Sequence, residues 1–355
     1  AGVPYRLPEI QEVIKKGIEV TSIVNLFFSI NKKPVIAVSG TKGKSSTVTF
    51  INDVLTRAGF KSQLIGNIGN PVLDYLDQNI DYFVFEISSY MLETFNGCID
   101  YGVFTSFFPD HMDTHGSFEN YKKAKFRFFD VCKKLFVNDE SLDVKNHLHS
   151  NNVDYVSFEY SDVSFESKNL IVEGESFQIN CNLGAEILYN FVGAISCLLD
   201  IGIKLKFILE SIKEFQKLPH RQEVIVGKNG LRFVNDSASI TPESTIAAIN
   251  NFKDDLKVLI LGGQNRGSDY SELENLIVKL NIQHVLILPD LNTLGFSFDC
   301  TSFENLEDLF AYVKDLNLKS GTILFSPGGA SYNLYKNFYE RGDMFLSLVN
   351  QNFDL

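Results

Sequence analysis

The stretch Val35-Ile-Ala-Val-Ser-Gly-Thr-Lys-Gly-Lys-Ser-Ser-Thr47 decides how the rest of the chain is read. A β-branched run empties into a glycine turn and then into a helical period that closes at Ala58-Gly59. Strand, glycine loop and helix in that order make a phosphate-binding loop. Gly40 and Gly43 permit the tight turn that aims successive N–H groups at phosphate oxygens, and the helix brings the positive end of its dipole to the same anion. Lys44 is placed to reach the β- and γ-phosphates and the Ser45 hydroxyl to hold Mg2+, with Thr41, Lys42 and Ser46 completing the cradle. The long form of the motif has a further glycine where this chain has Val38, so the pattern is the shortened Gly40-x-x-Gly43-Lys44-Ser45. Alone it also fits a surface turn; the flanking strand and helix favour nucleotide.

At 355 residues the chain has room for two domains with sizeable cores. Its net charge of −12 opposes nonspecific binding to nucleic acid or to an acidic membrane. No apolar run approaches the ~18 residues of a membrane span, and the first residues lack the order of a signal peptide. Cys98, Cys132, Cys181, Cys197 and Cys300 are scattered and odd in number, which leads us to expect reduced thiols in a cytoplasmic protein.

From Val35 onward β-rich runs alternate with helical periods, giving an α/β fold with a mostly parallel central sheet. Strands are expected at Val35 to Ser39, Tyr82 to Ile87, Gly102 to Phe107 and Lys134 to Val137, and helices at 44–58 and 118–130. A small antiparallel insertion is expected between about 153 and 182, followed by helices near 185–200 and 204–216. The pattern resets at Leu218-Pro-His-Arg221. A hairpin, Glu223 to Val226 with Leu231 to Asn235, opens a Rossmann-like α/β domain with a helix starting at Pro242 and a final helix over 333–349. The expected partition is 1–30, a remnant or linker of an N-terminal domain; 31–217, the ATP-binding domain; and 218–355, the second α/β domain.

Several residues outside the loop could do chemistry. Glu86 ends a strand, where a carboxylate beside a phosphate loop suits Mg2+ or is an ordinary strand-end acid. His111, in Asp110-His-Met-Asp113, fits a capping role at least as well as a ligand to an oxygen-preferring metal. Lys125, in Tyr121-Lys-Lys-Ala-Lys125 on a predicted helix, reads as part of a solvated basic face. His147 and His149 form an H-x-H pair with no third ligand in view. Arg221 suits bidentate contact with phosphate. Asn235-Asp-Ser237, Gly262-Gly-Gln-Asn-Arg266 and Ser326-Pro-Gly-Gly-Ala-Ser331 each end a strand of the second domain, where open sheets bind ligands.

In sequence order, the motifs Gly40-Thr-Lys-Gly-Lys-Ser45, Gly66-Asn-Ile-Gly69, Glu86-Ile-Ser-Ser-Tyr-Met-Leu-Glu93, Asp110-His-Met-Asp113, Tyr121-x-x-Ala-Lys125, Leu218-Pro-His-Arg221, Asn235-Asp-Ser237 and Lys336-Asn-Phe-x-Glu-Arg-Gly342 resemble the glutamate-adding branch of the Mur ligase family. The resemblance implies a cytoplasmic, monomeric, ATP-dependent amide-forming ligase of peptidoglycan precursor synthesis that adds D-glutamate to UDP-N-acetylmuramoyl-L-alanine. It makes Ser45, Glu86 and His111 ligands of two Mg2+ ions, with Lys125 carbamylated as a further ligand. It makes Lys44, Arg221, Asp236 and Asn190 ATP contacts, sets Asn67 and Ser88 against the acceptor, and lines the glutamate pocket with Arg266, Ser331 and Phe338. It also implies a uridine-diphosphate domain before the residues seen here.

The chain departs from the family pattern at Glu186-Ile187, where His-Asn is common near adenine, after Asn235-Asp-Ser237, and at Arg266, where Lys is common. The last two leave L-glutamate as an alternative. A Mg·ATP-binding module that acts through a partner is the alternative that is not an enzyme.

Overall fold

The computed structural model describes residues 7–353 except 68–71, 77, 111–114, 167–168, 180, 182, 217, 229, 266–267, 290, 292–294 and 333. The chain divides into two compact units, residues 1–216 and 217–355, each with its own six-stranded sheet.

In the first unit Val35–Ser39 (β1), Ser62–Gly66 (β2), Tyr82–Glu86 (β3), Ile99–Phe104 (β4), Cys132–Val137 (β5) and Val156–Ser157 (β6) lie in the order β2-β3-β1-β4-β5-β6, all pairs parallel. β1 is buried along its length, and its side chains alternate between two cores. Ile36 and Val38 join Phe50 and Phe191 on one face, whereas Val35 and Ala37 join Phe83 and Phe128 on the other. A strand covered on both faces reads as a continuous apolar run, as this one does. From β1 the chain first builds β2 and β3 on one side and then crosses to β4 on the other, so the strand order reverses between β1 and β4. Ligands settle in the crevice at the carboxyl ends at such a reversal.

The helices of this unit are Pro8–Lys15 (α1), Ile23–Ile30 (α2), Lys44–Arg57 (α3), Ser89–Thr94 (α4), Phe118–Val131 (α5), Leu142–Ser150 (α6), Ala185–Asp200 (α7) and Leu205–Glu214 (α8). α2 is integral to the unit: Phe27 is fully buried and meets Phe83 of β3 edge-on at 5.0 Å. β4 begins at Ile99, earlier than expected, and ends at Phe104, which frees Thr105 and Ser106 for the phosphate loop. The polar stretch containing His147 and His149 is helical. Two positions apart on a helix point to different faces: His147 packs on Phe126, with ring centroids 4.6 Å apart, while His149 is exposed, so the H-x-H pair forms no chelate. Val163–Glu166 (β7), Asn169–Val172 (β8) and Glu175–Gln178 (β9) form the expected antiparallel insertion. Its β8–β9 turn places Glu173 and Gly174 at φ 51° and 81°, the double left-handed pair of a type I′ hairpin.

The second unit pairs Glu223–Val226 (β10) antiparallel with Leu231–Asn235 (β11). Gly321–Gly328 (β15), Leu256–Gly262 (β12), His284–Ile287 (β13) and Thr301–Ser302 (β14) then follow in parallel, in the order β10-β11-β15-β12-β13-β14. Pro242–Phe252 (α9), Ser271–Leu280 (α10), Leu306–Asp315 (α11) and Phe338–Asn352 (α12) complete it. α9 opens at Pro242 behind a Thr241–Ser244 capping box. α12 starts at Phe338 rather than near 333, because the Asn337 side chain accepts the Glu340 N–H at 3.0 Å and sets the N-terminus there.

Candidate active site

The phosphate loop is held in shape by the neighbouring strand end. Thr105 donates its hydroxyl to the Ser39 and Lys42 carbonyls at 3.1 and 2.5 Å, Thr41 N–H donates to the Ser106 carbonyl at 2.7 Å, and Lys42 N–H donates to the Ser106 hydroxyl at 2.9 Å. Gly40 (φ 132°) and Gly43 (φ 88°) are left-handed, and neither has room for a side chain. A Cβ on Gly40 would lie 2.3 Å from the Thr105 hydroxyl, and one on Gly43 would lie 2.5 Å from the Asn190 amide. Asn190 of α7 therefore borders the loop. Thr105 and Ser106 were missed in the sequence. The available signal was two hydroxyl residues directly after a strand that neighbours the loop strand.

α5 reaches the loop from the other side. Its Tyr121 hydroxyl hydrogen-bonds the Thr41 hydroxyl at 2.8 Å, with the Phe107 ring stacked on Tyr121 at 5.7 Å. One turn on, Lys125 is 2% exposed and donates to the Gly40 carbonyl at 2.6 Å and to the Ser39 hydroxyl at 3.3 Å. It is no part of a solvated basic face. Burial pushes its ammonium well below the usual lysine range, the nearby Lys44 charge adds to this, and Glu86 and Asp110 pull the other way. Lys44 folds back onto the Gly40 and Thr41 carbonyls, at 3.1 and 2.8 Å.

Glu86, at the end of β3, is 1% exposed. Its Oε1 accepts from the Asn67 side chain at 2.8 Å, while its Oε2 is buried with no hydrogen-bond partner among the described residues. An orphaned buried carboxylate oxygen is costly unless a cation or donor meets it. Among the described residues no group of three or more His, Cys, Asp or Glu side chains converges. A hard cation that takes one or two carboxylates and fills its remaining positions with hydroxyl, water and phosphate oxygens suits such a donor set, and that is the habit of Mg2+. Ser45, 9% exposed in the first turn of α3, supplies a hydroxyl. Ser88 caps α4 by accepting the Met91 N–H at 3.3 Å. Behind it Ser89 meets His115 Nε2 at 3.0 Å and Glu93 meets His115 Nδ1 at 3.2 Å, a contact not anticipated from sequence. His111 lies outside the described residues.

The structure thus brings Gly40 to Ser46, Asn67, Glu86, Ser88, Lys125 and Asn190 to the carboxyl end of one sheet. The remaining candidates belong to the second unit. Asp236, at the end of β11, accepts from the Ser239 and Ser326 hydroxyls at 2.5 and 2.8 Å and from the Gln222 N–H at 3.2 Å. Burial raises its carboxyl to about 6, against the pull of those donors and of Arg221. His220 is 2% exposed and lies 2.8 Å from the Asn235 amide. Ser331 is buried at the end of β15, and Phe338 opens α12 with its ring stacked on Tyr339. Arg266 lies outside the described residues.

A mostly parallel sheet whose strand reversal holds a Gly-Lys-Ser loop, a buried acid and a buried lysine defines a P-loop α/β protein built for nucleotide. Residues 38–198 match the model of the Mur ligase middle domain. Over 361 residues the chain is 30% identical to the UDP-N-acetylmuramoylalanine–D-glutamate ligase of Aliivibrio fischeri strain MJ11, covering 99% of this chain and 82% of that protein. It is 31% identical over 368 residues to the enzyme of the same name from Vibrio vulnificus, with the same coverage. Its fold is similar to that of MurF from Acinetobacter baumannii (TM-score 0.67, 16% identity, 90% of this chain and 77% of that one). It is also similar to that of MurC from Thermotoga maritima (TM-score 0.63, 17% identity, 99% and 84%). The chain belongs to the Mur ligase family, the ATP- and Mg2+-using ligases of peptidoglycan synthesis.

Proposed function

We propose that the chain joins D-glutamate to the alanine carboxylate of UDP-N-acetylmuramoyl-L-alanine at the expense of ATP. The observation that carries this reading is the 30–31% identity, spread over 99% of the chain, with enzymes named for that reaction. The acceptor carboxylate, oriented by Asn67 and Ser88, attacks the γ-phosphorus; the bond to the β-phosphate oxygen breaks, and ADP leaves. The glutamate amine attacks the resulting acyl phosphate, loses a proton and expels phosphate as the amide forms. Lys44 leaves the Gly40 and Thr41 carbonyls to meet the β- and γ-phosphates, and the loop N–H groups face the same charge. Asn190, which borders Gly43, contacts ATP. Arg221 meets phosphate, and Asp236 meets the ribose. Glu86, Ser45, His111 and a carbamate on Lys125 would hold two Mg2+ ions, which neutralise charge on the transferring phosphoryl group. A carbamate forms only on a neutral amine, and the burial of Lys125 beside Lys44 favours that form. Arg266, Ser331 and Phe338 bind glutamate.

The L-enantiomer is the second reading, favoured by Arg266 and by the residues after Asn235-Asp-Ser237. Phosphate release from ATP, measured with UDP-N-acetylmuramoyl-L-alanine and with D- or L-glutamate in separate reactions, tests both. Turnover that requires acceptor and D-glutamate is expected, and turnover with the L-form alone selects the second reading. Nucleotide binding without acceptor-dependent turnover would overturn both in favour of a binding module.

A further inference from the structure

A histidine that the reaction above does not use, His115, is 1% exposed and gripped by side chains of α4. Its Nε2 lies 3.0 Å from the hydroxyl of Ser89, itself 2% exposed, and its Nδ1 lies 3.2 Å from Oε1 of Glu93. Ser89 and Glu93 are four positions apart and so share one face of the helix. Next to Ser89, Tyr90 lays its ring on the imidazole, with centroids 5.1 Å apart and planes 13° from parallel. A carboxylate facing Nδ1 favours the tautomer protonated there, which leaves Nε2 to accept the Ser89 hydroxyl. α5 holds the same residue from the other side. The Asn120 side-chain amide donates to the His115 carbonyl at 2.9 Å, and the Tyr121 ring meets the imidazole edge-on at 5.4 Å.

Serine, histidine and glutamate in this order are the parts of a nucleophile relay, but with Ser89 and His115 both buried no substrate reaches the hydroxyl. What the trio can do is fix α4. Six residues are too few for a helix to keep its own shape and direction, so both are set by what holds it. Arg127 ties the far end through the Leu92 and Phe95 carbonyls. His115 ties the first turn, next to Ser88, the cap of α4 and the residue assigned above to the acceptor. Tyr121 in turn hydrogen-bonds Thr41 of the phosphate loop at 2.8 Å. A continuous set of contacts therefore runs from that loop through Tyr121 and His115 to the start of α4, where Tyr90 is 39% exposed. An attacking carboxylate and a γ-phosphate must meet in line, and a misplacement of about 1 Å costs such a step about a hundredfold.

We propose that His115 is a positioning residue for the acceptor, holding Ser88 and Tyr90 at a fixed place relative to the phosphate loop. This rests on the ligase reading above. The test is steady-state kinetics of the full-length protein, wild type and the variants H115F, H115Q and S89A, with the glutamate enantiomer that supports turnover and with folding checked by thermal unfolding. H115F keeps a ring beside Tyr90 and Tyr121 but neither polar contact. Its KM for UDP-N-acetylmuramoyl-L-alanine is expected to rise about tenfold, with the KM for ATP and the Mg2+ requirement within about twofold of wild type. H115Q, whose amide can still meet Ser89, is expected to recover most of that loss, and adding S89A to H115F to cost nothing more. An unchanged acceptor KM in H115F, a uniform loss in kcat and every KM, or a shift confined to the Mg2+ requirement would each overturn the proposal while leaving the ligase reading standing. A wild type without acceptor-dependent turnover overturns that reading and this inference together. S89A, expected to raise the acceptor KM about fivefold, carries the test should H115F not fold.

Discussion

Lys125 donates to the carbonyl of Gly40 at 2.6 Å, and Lys44 reaches the same oxygen at 3.1 Å. Two lysine amines thus share one acceptor at the loop where we propose that phosphate and metal bind. Carbamylation would turn Lys125 from a competitor for that oxygen into an anion. Turnover is therefore expected to fall in carbon-dioxide-depleted buffer and to return with bicarbonate, and Lys125→Ala is expected to lose about a hundredfold or more and to ignore bicarbonate. A bicarbonate-independent wild type would sink the carbamate.

The orphaned Oε2 of Glu86 makes a second prediction. Glu86→Gln keeps a side chain of the same shape for Asn67 to hold but removes the anion. The apparent Mg2+ requirement in ATP binding, followed by calorimetry, should shift upward about tenfold, with phosphate release reduced at least as much. An unchanged Mg2+ titration would place the metal elsewhere.

Gly40→Ala is expected to destabilise the first unit by about 1–3 kcal/mol, since φ 132° is strained for alanine and the methyl group meets Thr105. Pairing it with Thr105→Ala removes the clash at the hydroxyl but leaves the dihedral strain and nearby Ser106 backbone contacts. Thr105→Ala alone loses the two bonds its hydroxyl makes to the loop. In thermal unfolding of both single variants and the double variant, Gly40→Ala should therefore cost less in the Thr105→Ala background, and no remaining cost there would mean that the dihedral costs little.

Asp236 gives a pH dependence of definite sign. Its folded carboxyl sits at about 6 against an ordinary 3.8, so between these values the native state binds more protons than the unfolded one. Its contribution to stability is most favourable below about 4 and declines as pH rises to about 6. His220, lowered by burial, acts in the opposite sense, its contribution being lost as pH falls. Denaturant unfolding of wild type and Asp236→Asn at several pH values isolates the first effect: the wild type should lose stability relative to the variant between pH 4 and 6. A difference that does not move with pH would count against the shift.

Much of this architecture could be read from local patterns. The doubly buried β1, the glycine loop, the hairpin around Gly227-Lys228 and Pro242 behind its cap are each written in a few consecutive residues. What escaped was set by distant partners. Thr105 and Ser106 read as the tail of a strand until the neighbouring loop takes their hydrogen bonds. His115 acquires meaning only from Ser89 and Glu93, and Arg341 only from turns at Ser237 and Gly329. The start of α12 was misplaced because the helical period runs on backwards through residues that Asn337 excludes by capping.

The Thr41–Tyr121 hydrogen bond latches the phosphate loop to α5, and Arg127 of that helix donates to the Leu92 and Phe95 carbonyls at 2.7 and 2.5 Å, clasping the end of α4. These bonds are all internal to the protein, so loop and helices are expected to be ordered before any nucleotide arrives. The entropy of fixing them is lost during folding, so binding draws chiefly on contacts and little on disorder-to-order change. Amide hydrogen exchange across residues 40–46 and α5 should accordingly be slow in the free protein and change little on adding ATP.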